Sequence, residues 1–117
     1  MLCQRLRSLF KMHRIRMTTK HGMRFAGAAL TEDMAVRVHL LDEGIHVGRK
    51  GQSVPDGVVN LEELLSELIE CGLEVRACGM TLDDCGVTED RLITGIEKGS
   101  MKALANWVKT SDHVITF

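Results

Sequence analysis

The sequence predicts a small α/β domain, a parallel sheet flanked by helices. Three observations carry this expectation. Strand-like and helix-like segments alternate from residue 22 to the chain end. The best helix is capped at both ends, at Asn60 and Gly72. A length of 117 residues suits one domain, and at 44% hydrophobic residues there is enough apolar surface for a core. With 3% aromatics that core must be aliphatic.

The elements follow in order. Gly22–Asp33 reads as a helix, with Phe25, Ala26, Ala29 and Leu30 on one stripe. Ala35–Leu41 reads as a strand in which Val36, Val38 and Leu40 alternate with Arg37 and His39. Glu43–Val59 is rich in turn residues and too long for a tight turn, which suits a cover for a site or an interface. In Leu61–Cys71, Leu61, Leu64, Leu65, Leu68 and Ile69 form a continuous apolar face. Asn60 is its expected N-cap, Glu63 the reciprocal acid, and Gly72 the residue just past its end. Leu73–Ala77 follows as a strand. Thr81 is expected to cap a short turn ending at Gly86, and Thr88 to open another helix. Ser100 opens a third helix, with Met101, Leu104, Trp107 and Val108 inward, and His113–Phe117 is a closing strand.

The beginning of the chain fits less well. Residues 1–21 form a basic segment, expected to be poorly ordered or atypical, in front of the domain at 22–117. Seven Lys/Arg and no acid fall within residues 1–31, against eight Lys/Arg and sixteen Asp/Glu in the remainder. The first strand of such a domain is therefore missing or atypical. Met12–Thr19 is a poor edge strand, because basic residues interrupt its alternation. Leu2, Leu6, Leu9, Phe10 and His13 fit a basic amphipathic helix equally well. The Arg-rich start also resembles a transit peptide, though one short of Ser.

No apolar run approaches the ~18–20 residues of a membrane span, and the net charge of −1 gives no case for nucleic-acid binding. The four cysteines show no secretory pairing, so thiols in the cytoplasm are expected.

Cys78 is the first candidate for chemistry. It lies just past a strand end, where parallel sheets place their sites, and before a short helix whose N-terminus favours a thiolate. Gly79, Met80, Thr81 and Gly86 would line that site. The bland alternative is an inert core cysteine. Cys85 would be a resolving thiol for a disulfide or persulfide at Cys78, or merely a helix-end residue. Cys71 reads as a core filler, so Cys78 is expected to be partly open and to alkylate faster than Cys71. A metal site built from Cys78, Cys85, His39 and His46 lacks zinc-type spacing, and no metal is expected. No phosphate loop and no Ser-His-Asp set is visible.

Three stretches resemble the DsrE/DsrF-like sulfur-relay family, which includes TusD-type carriers. They are FAGAALTEDMAVRVHLLDEGIHVGRKGQ from Phe25, NLEELLSELIECGLEVRACG from Asn60 to Gly79, and GVTEDRLITGIEKGSMKALANWVKTSDHVITF from Gly86 to Phe117. The resemblance implies a flavodoxin-like fold and trimers or hexamers. It also implies a cysteine at Cys78 that carries sulfane sulfur as a persulfide between donor and acceptor proteins. A sulfurtransferase-like role of this kind needs no cofactor, no nucleic acid and no membrane. One departure stands out. Many relatives carry a basic residue where this chain has Cys85, a group able to stabilise a persulfide anion. The rival reading is a non-catalytic module for ligand binding or assembly.

Overall fold

The computed structural model describes Leu2–Arg5 and residues 19–117. Its strands are β1 (Leu2–Arg5), β2 (Ala35–Leu40), β3 (Glu74–Cys78), β4 (Ile96–Gly99) and β5 (His113–Ile115). They form one sheet in the order β4-β3-β2-β1-β5. β2, β3 and β4 pair in parallel, while β1 runs antiparallel to both β2 and β5. Among the described strands, four therefore point one way and β1 alone points the other.

The expected fold class is present, and its first strand is atypical in a way the sequence did not suggest. It sits at the start of the chain, within the basic segment expected to be poorly ordered or atypical, and fills an interior position between β2 and β5. Backbone amides and carbonyls on the facing sides of β2 and β5 need partners. A four-residue antiparallel strand supplies them. The candidate strand at Met12–Thr19 lies outside the described residues except for Thr19, which opens α1 (Thr19–Thr31). Residues 6–13 of the alternative amphipathic helix also lie outside them, and Leu2 belongs to β1.

One face of the sheet carries the main core. Val36, Val38, Leu40, Val75 and Ala77 pack there against Met23, Ala26 and Ala29 of α1 and against Leu65 and Leu68 of α2 (Leu61–Glu70). Helix α2 forms where expected. The Asn60 side chain accepts hydrogen bonds from the Glu62 and Glu63 amides at 3.0 and 3.4 Å. Its end is a Schellman motif: the Leu73 amide donates to Leu68 O at 2.9 Å and the Gly72 amide to Ile69 O at 3.0 Å, with Gly72 at φ 108°. The acid that ties down the preceding loop is Glu62, whose carboxylate accepts from the Gly51 and Gln52 amides at 3.0 and 2.9 Å.

Two expectations are corrected in the second half of the chain. Thr88 opens a single 3-10 turn, Glu89–Arg91, and not a helix; β4 follows and was not foreseen. β4 pairs only with β3, so its sequence IEKG carries no apolar alternation to read. In α4 (Met101–Thr110) only Leu104 and Trp107 are buried, whereas Met101 and Val108 are exposed. These two inward residues pack with Leu41 as a small second core on the other face of the sheet.

Candidate functional site

The carboxyl ends of β2, β3 and β4 lie side by side. Leu40 pairs with Ala77, and Cys78 pairs with Gly99. Cys78 is the last residue of β3 and the N-cap of α3 (Gly79–Cys85). The site residues expected from sequence thus cluster on one short helix. Thr81 is buried, and its hydroxyl accepts from the Asp42 amide at 3.4 Å, tying α3 to the segment after β2. Met80 is exposed on the rim. Gly86, at φ 66°, ends the helix in a second Schellman motif, in which the Val87 amide donates to Leu82 O at 2.9 Å.

Accessibility reverses the sequence expectation. Cys78 is 2% exposed, whereas Cys71 and Cys85 are exposed. Cys71 follows the last turn of α2, where its side chain leaves the apolar stripe, so it is not core. Cys78 and Cys85 stand at opposite ends of α3. Seven residues of helix rise about 10 Å, beyond the ~7 Å limit on Cα separation for a disulfide. With α3 intact, Cys85 is not placed to resolve a sulfur species on Cys78.

Alternation along β3 puts Val75 and Ala77 in the main core and turns Glu74, Arg76 and Cys78 to the other face. On β2 that face carries Arg37 and His39. His39 is fully buried, with its ring edge-on to Trp107 at a centroid distance of 6.2 Å. Arg76 and Arg37 lie against the same indole at 4.5 and 5.4 Å. Burial, reinforced by nearby positive charge that includes Arg76, holds the His39 pKa below its usual 6.5. Gly99 makes room for this ring: a Cβ there would stand 2.7 Å from His39 Nε2. On the opposite face, a Cβ at Gly79 would meet the Lys98 stem at 2.6 Å.

His39, which alternates with the apolar residues of β2, makes its contact with helix α4 through Trp107. Gly99, Lys98 and Trp107 were not singled out as site residues. The only signal for them was the Gly-Ser pair before α4, which cannot be read without knowing that β4 exists. A cavity of about 590 Å³ lies at the other end of the same face, lined by Arg37, Arg76, Asn106, Trp107 and Thr110. Among the described residues, no three His, Cys, Asp or Glu side chains converge as metal ligands. His39 and Cys78 share the second face, His46 is hydrogen-bonded to Arg49 at 3.3 Å, and Cys85 is the last residue of α3. No helix among the described residues is long and apolar enough to cross a membrane.

Comparison with known proteins agrees with this architecture. The uncharacterized protein MK0008 of Methanopyrus kandleri is 46% identical over 96 residues, covering 82% of this chain and 78% of its own. The uncharacterized protein MJ0989 of Methanocaldococcus jannaschii is 41% identical over 96 residues, covering 82% and 83%. The crystal structure of the YchN protein from Escherichia coli superposes with a TM-score of 0.79 at 26% identity, over 90% of this chain and 92% of that one. Residues 16–117, which hold α1 through β5, match the DsrE/DsrF-like family, and the chain belongs to that family.

Proposed function

We propose that the protein is a sulfur-relay protein that carries sulfane sulfur as a persulfide on Cys78. The observation that carries this reading is the position of Cys78 at the carboxyl edge of the sheet, in a chain of the DsrE/DsrF-like family. The space beside its strand partner Gly99 is taken by the His39 ring and that beside its successor Gly79 by the Lys98 stem, so approach requires a side chain to move. In the loading step the Cys78 thiolate attacks the outer sulfur of a donor persulfide. A Cys78 S–S bond forms, the donor S–S bond breaks, and the donor leaves as a thiolate. An acceptor thiolate then attacks the outer sulfur on Cys78 and regenerates the Cys78 thiolate. Exchange of this kind needs nucleophile and access, and no cofactor. In this reading the partners are donor and acceptor proteins, and the chain works in the cytoplasm as a homo-oligomer, a trimer or hexamer.

Burial of Cys78 favours a second reading, in which the fold is a non-catalytic module for assembly or ligand binding. The cavity beneath Trp107 would then be the site that matters.

Mass spectrometry after incubation with inorganic polysulfide separates the two. The exposed Cys71 and Cys85 acquire sulfur adventitiously, so the Cys71→Ser/Cys85→Ser protein is the one to use. A gain of about 32 Da mapped to Cys78, and lost in Cys78→Ser, is the expected result. A folded protein that takes no sulfur at Cys78 sinks the carrier reading and leaves the assembly module.

A further inference from the structure

We infer that His39 is the proton acceptor that turns Cys78 into a nucleophile, a Cys–His pair formed across neighbouring strands. The geometry rests on three observations. His39 belongs to β2, yet its Nε2 packs against the Cα of Gly99 on β4, where a Cβ would stand only 2.7 Å away. β3 runs between those two strands, so the imidazole crosses β3 on the face that carries Arg76 and Cys78. The register then says where it crosses. His39 pairs with Arg76, and Gly99 pairs with Cys78, so the ring runs from the level of Arg76 toward that of Cys78, meeting Gly99 where a Cβ would also stand 3.1 Å from the Arg76 Cβ. Neighbouring strands lie about 4.8 Å apart, which puts Nε2 no more than roughly 8 Å from the Cys78 Cβ. Rotation about one bond of the cysteine moves its sulfur toward the ring.

The surroundings suit a proton acceptor. The ring is packed edge-on by Trp107, and burial keeps it neutral around pH 7. A neutral imidazole has one nitrogen able to take a proton. Among the described residues, the charged groups on this face include Arg37 of β2, Glu74 and Arg76 of β3, and Glu97 of β4, which lies 3.9 Å from Arg76. Helix α4 contributes the uncharged Ala103, Asn106, Trp107 and Thr110. In the step itself the thiol proton passes to His39, and the sulfur keeps the electron pair that attacks the donor's outer sulfur. When the acceptor has taken that sulfur, the Cys78 thiolate recovers the proton. The inference takes its use from the sulfur-carrier reading, but its geometry stands apart from that reading.

The test is the alkylation rate of Cys78 against pH, resolved by peptide mass so that the other cysteines do not intrude. The wild-type profile should rise through an inflection below 6.5, where His39 loses its proton. His39→Gln should abolish that inflection and slow alkylation at neutral pH by about tenfold or more, the lower side of what a positioned base contributes. Gly99→Ala, whose Cβ would displace the ring, should do the same with His39 present. A folded His39→Gln protein that keeps both rate and inflection overturns the inference. If His39→Gln does not fold, Gly99→Ala and the NMR titration of the His39 ring nitrogens decide. Cys78→Ala should move that titration midpoint, and an unmoved midpoint overturns the pair. Sulfur loading is scored separately. Loading with an unchanged profile removes His39 and keeps the carrier; a changed profile without loading keeps the pair and removes the carrier.

Discussion

Truncation of Trp107 to Ala removes the anchor of α4. The side chain is 6% exposed, and its buried helix neighbour is Leu104, with Leu41 packed against both. Loss of a buried Trp costs about 3–5 kcal/mol once the cavity is included. Two guanidinium groups lose their stacking surface as well, Arg76 at 4.5 Å and Arg37 at 5.4 Å. Each is worth about 0.5–1 kcal/mol where partly exposed. Arg37 retains its hydrogen bond to the Thr110 hydroxyl at 3.2 Å, so part of the edge persists. The expected loss is therefore at least about 3 kcal/mol, a large share of the 5–15 kcal/mol typical of a domain. Urea denaturation followed by far-ultraviolet circular dichroism measures it, since the variant has no tryptophan to report by fluorescence. An internal control comes with it: opening the cover over His39 should raise that residue's pKa back toward 6.5. A loss below about 1 kcal/mol with an unmoved His39 would refute the claim that Trp107 seats α4 on the sheet.

Two further outcomes are expected. Under native conditions Cys71 and Cys85 should alkylate at least tenfold faster than Cys78, because they are exposed while Cys78 must wait for local opening; peptide-resolved kinetics showing Cys78 first would contradict its burial. Stability should also depend on pH through His39, whose folded pKa is depressed. The sign follows from proton binding: the unfolded chain takes up its proton first as pH falls below about 6.5, so the His39 contribution is present above that value and is lost as pH falls through the folded pKa. Denaturation at pH 7.5 and 5 should show a smaller pH effect in folded His39→Gln than in the wild type, and an equal effect would contradict the assignment.

The legible parts of this fold were those where one physical cause acts alone. Asn60, the leucine stripe of α2 and Gly72 each fix a local feature through short-range hydrogen bonding or burial, so α2 was read to within a residue of its end. β2 showed itself because one face is buried and the other is polar. β4 gave no such signal, since an edge strand with one neighbour needs no alternation. α4 misled for a related reason. Its expected stripe of Met101, Leu104, Trp107 and Val108 is longer than the surface it covers, and only the middle pair meets the sheet. The placement of Cys78 at a strand end was visible. Its burial was not, because that depends on α4 and His39 covering the second face from elsewhere in the chain. Nor was the role of Gly99 visible, since it is a glycine in contact with a residue sixty positions earlier.

Burial of Cys78 sets a mechanical requirement on any sulfur transfer, and α3 is where that requirement falls. This helix has seven residues, and beyond its own turns it is held by the Schellman closure at Gly86–Val87, by Leu82 in the core and by the Thr81 hydroxyl on the Asp42 amide. Most of that attachment lies at or beyond Thr81, three residues past Cys78. The first turn, Gly79 and the exposed Met80, is tied mainly through Lys98, whose stem lies across Gly79 from the solvent-exposed edge strand. A flexible lysine stem gives way at less cost than packed backbone. Movement of that first turn alone leaves the C-terminal turn in place and Cys85 about 10 Å away, and leaves the Cys78 side chain on the other face, beside His39. In this geometry Cys85 stays a surface thiol.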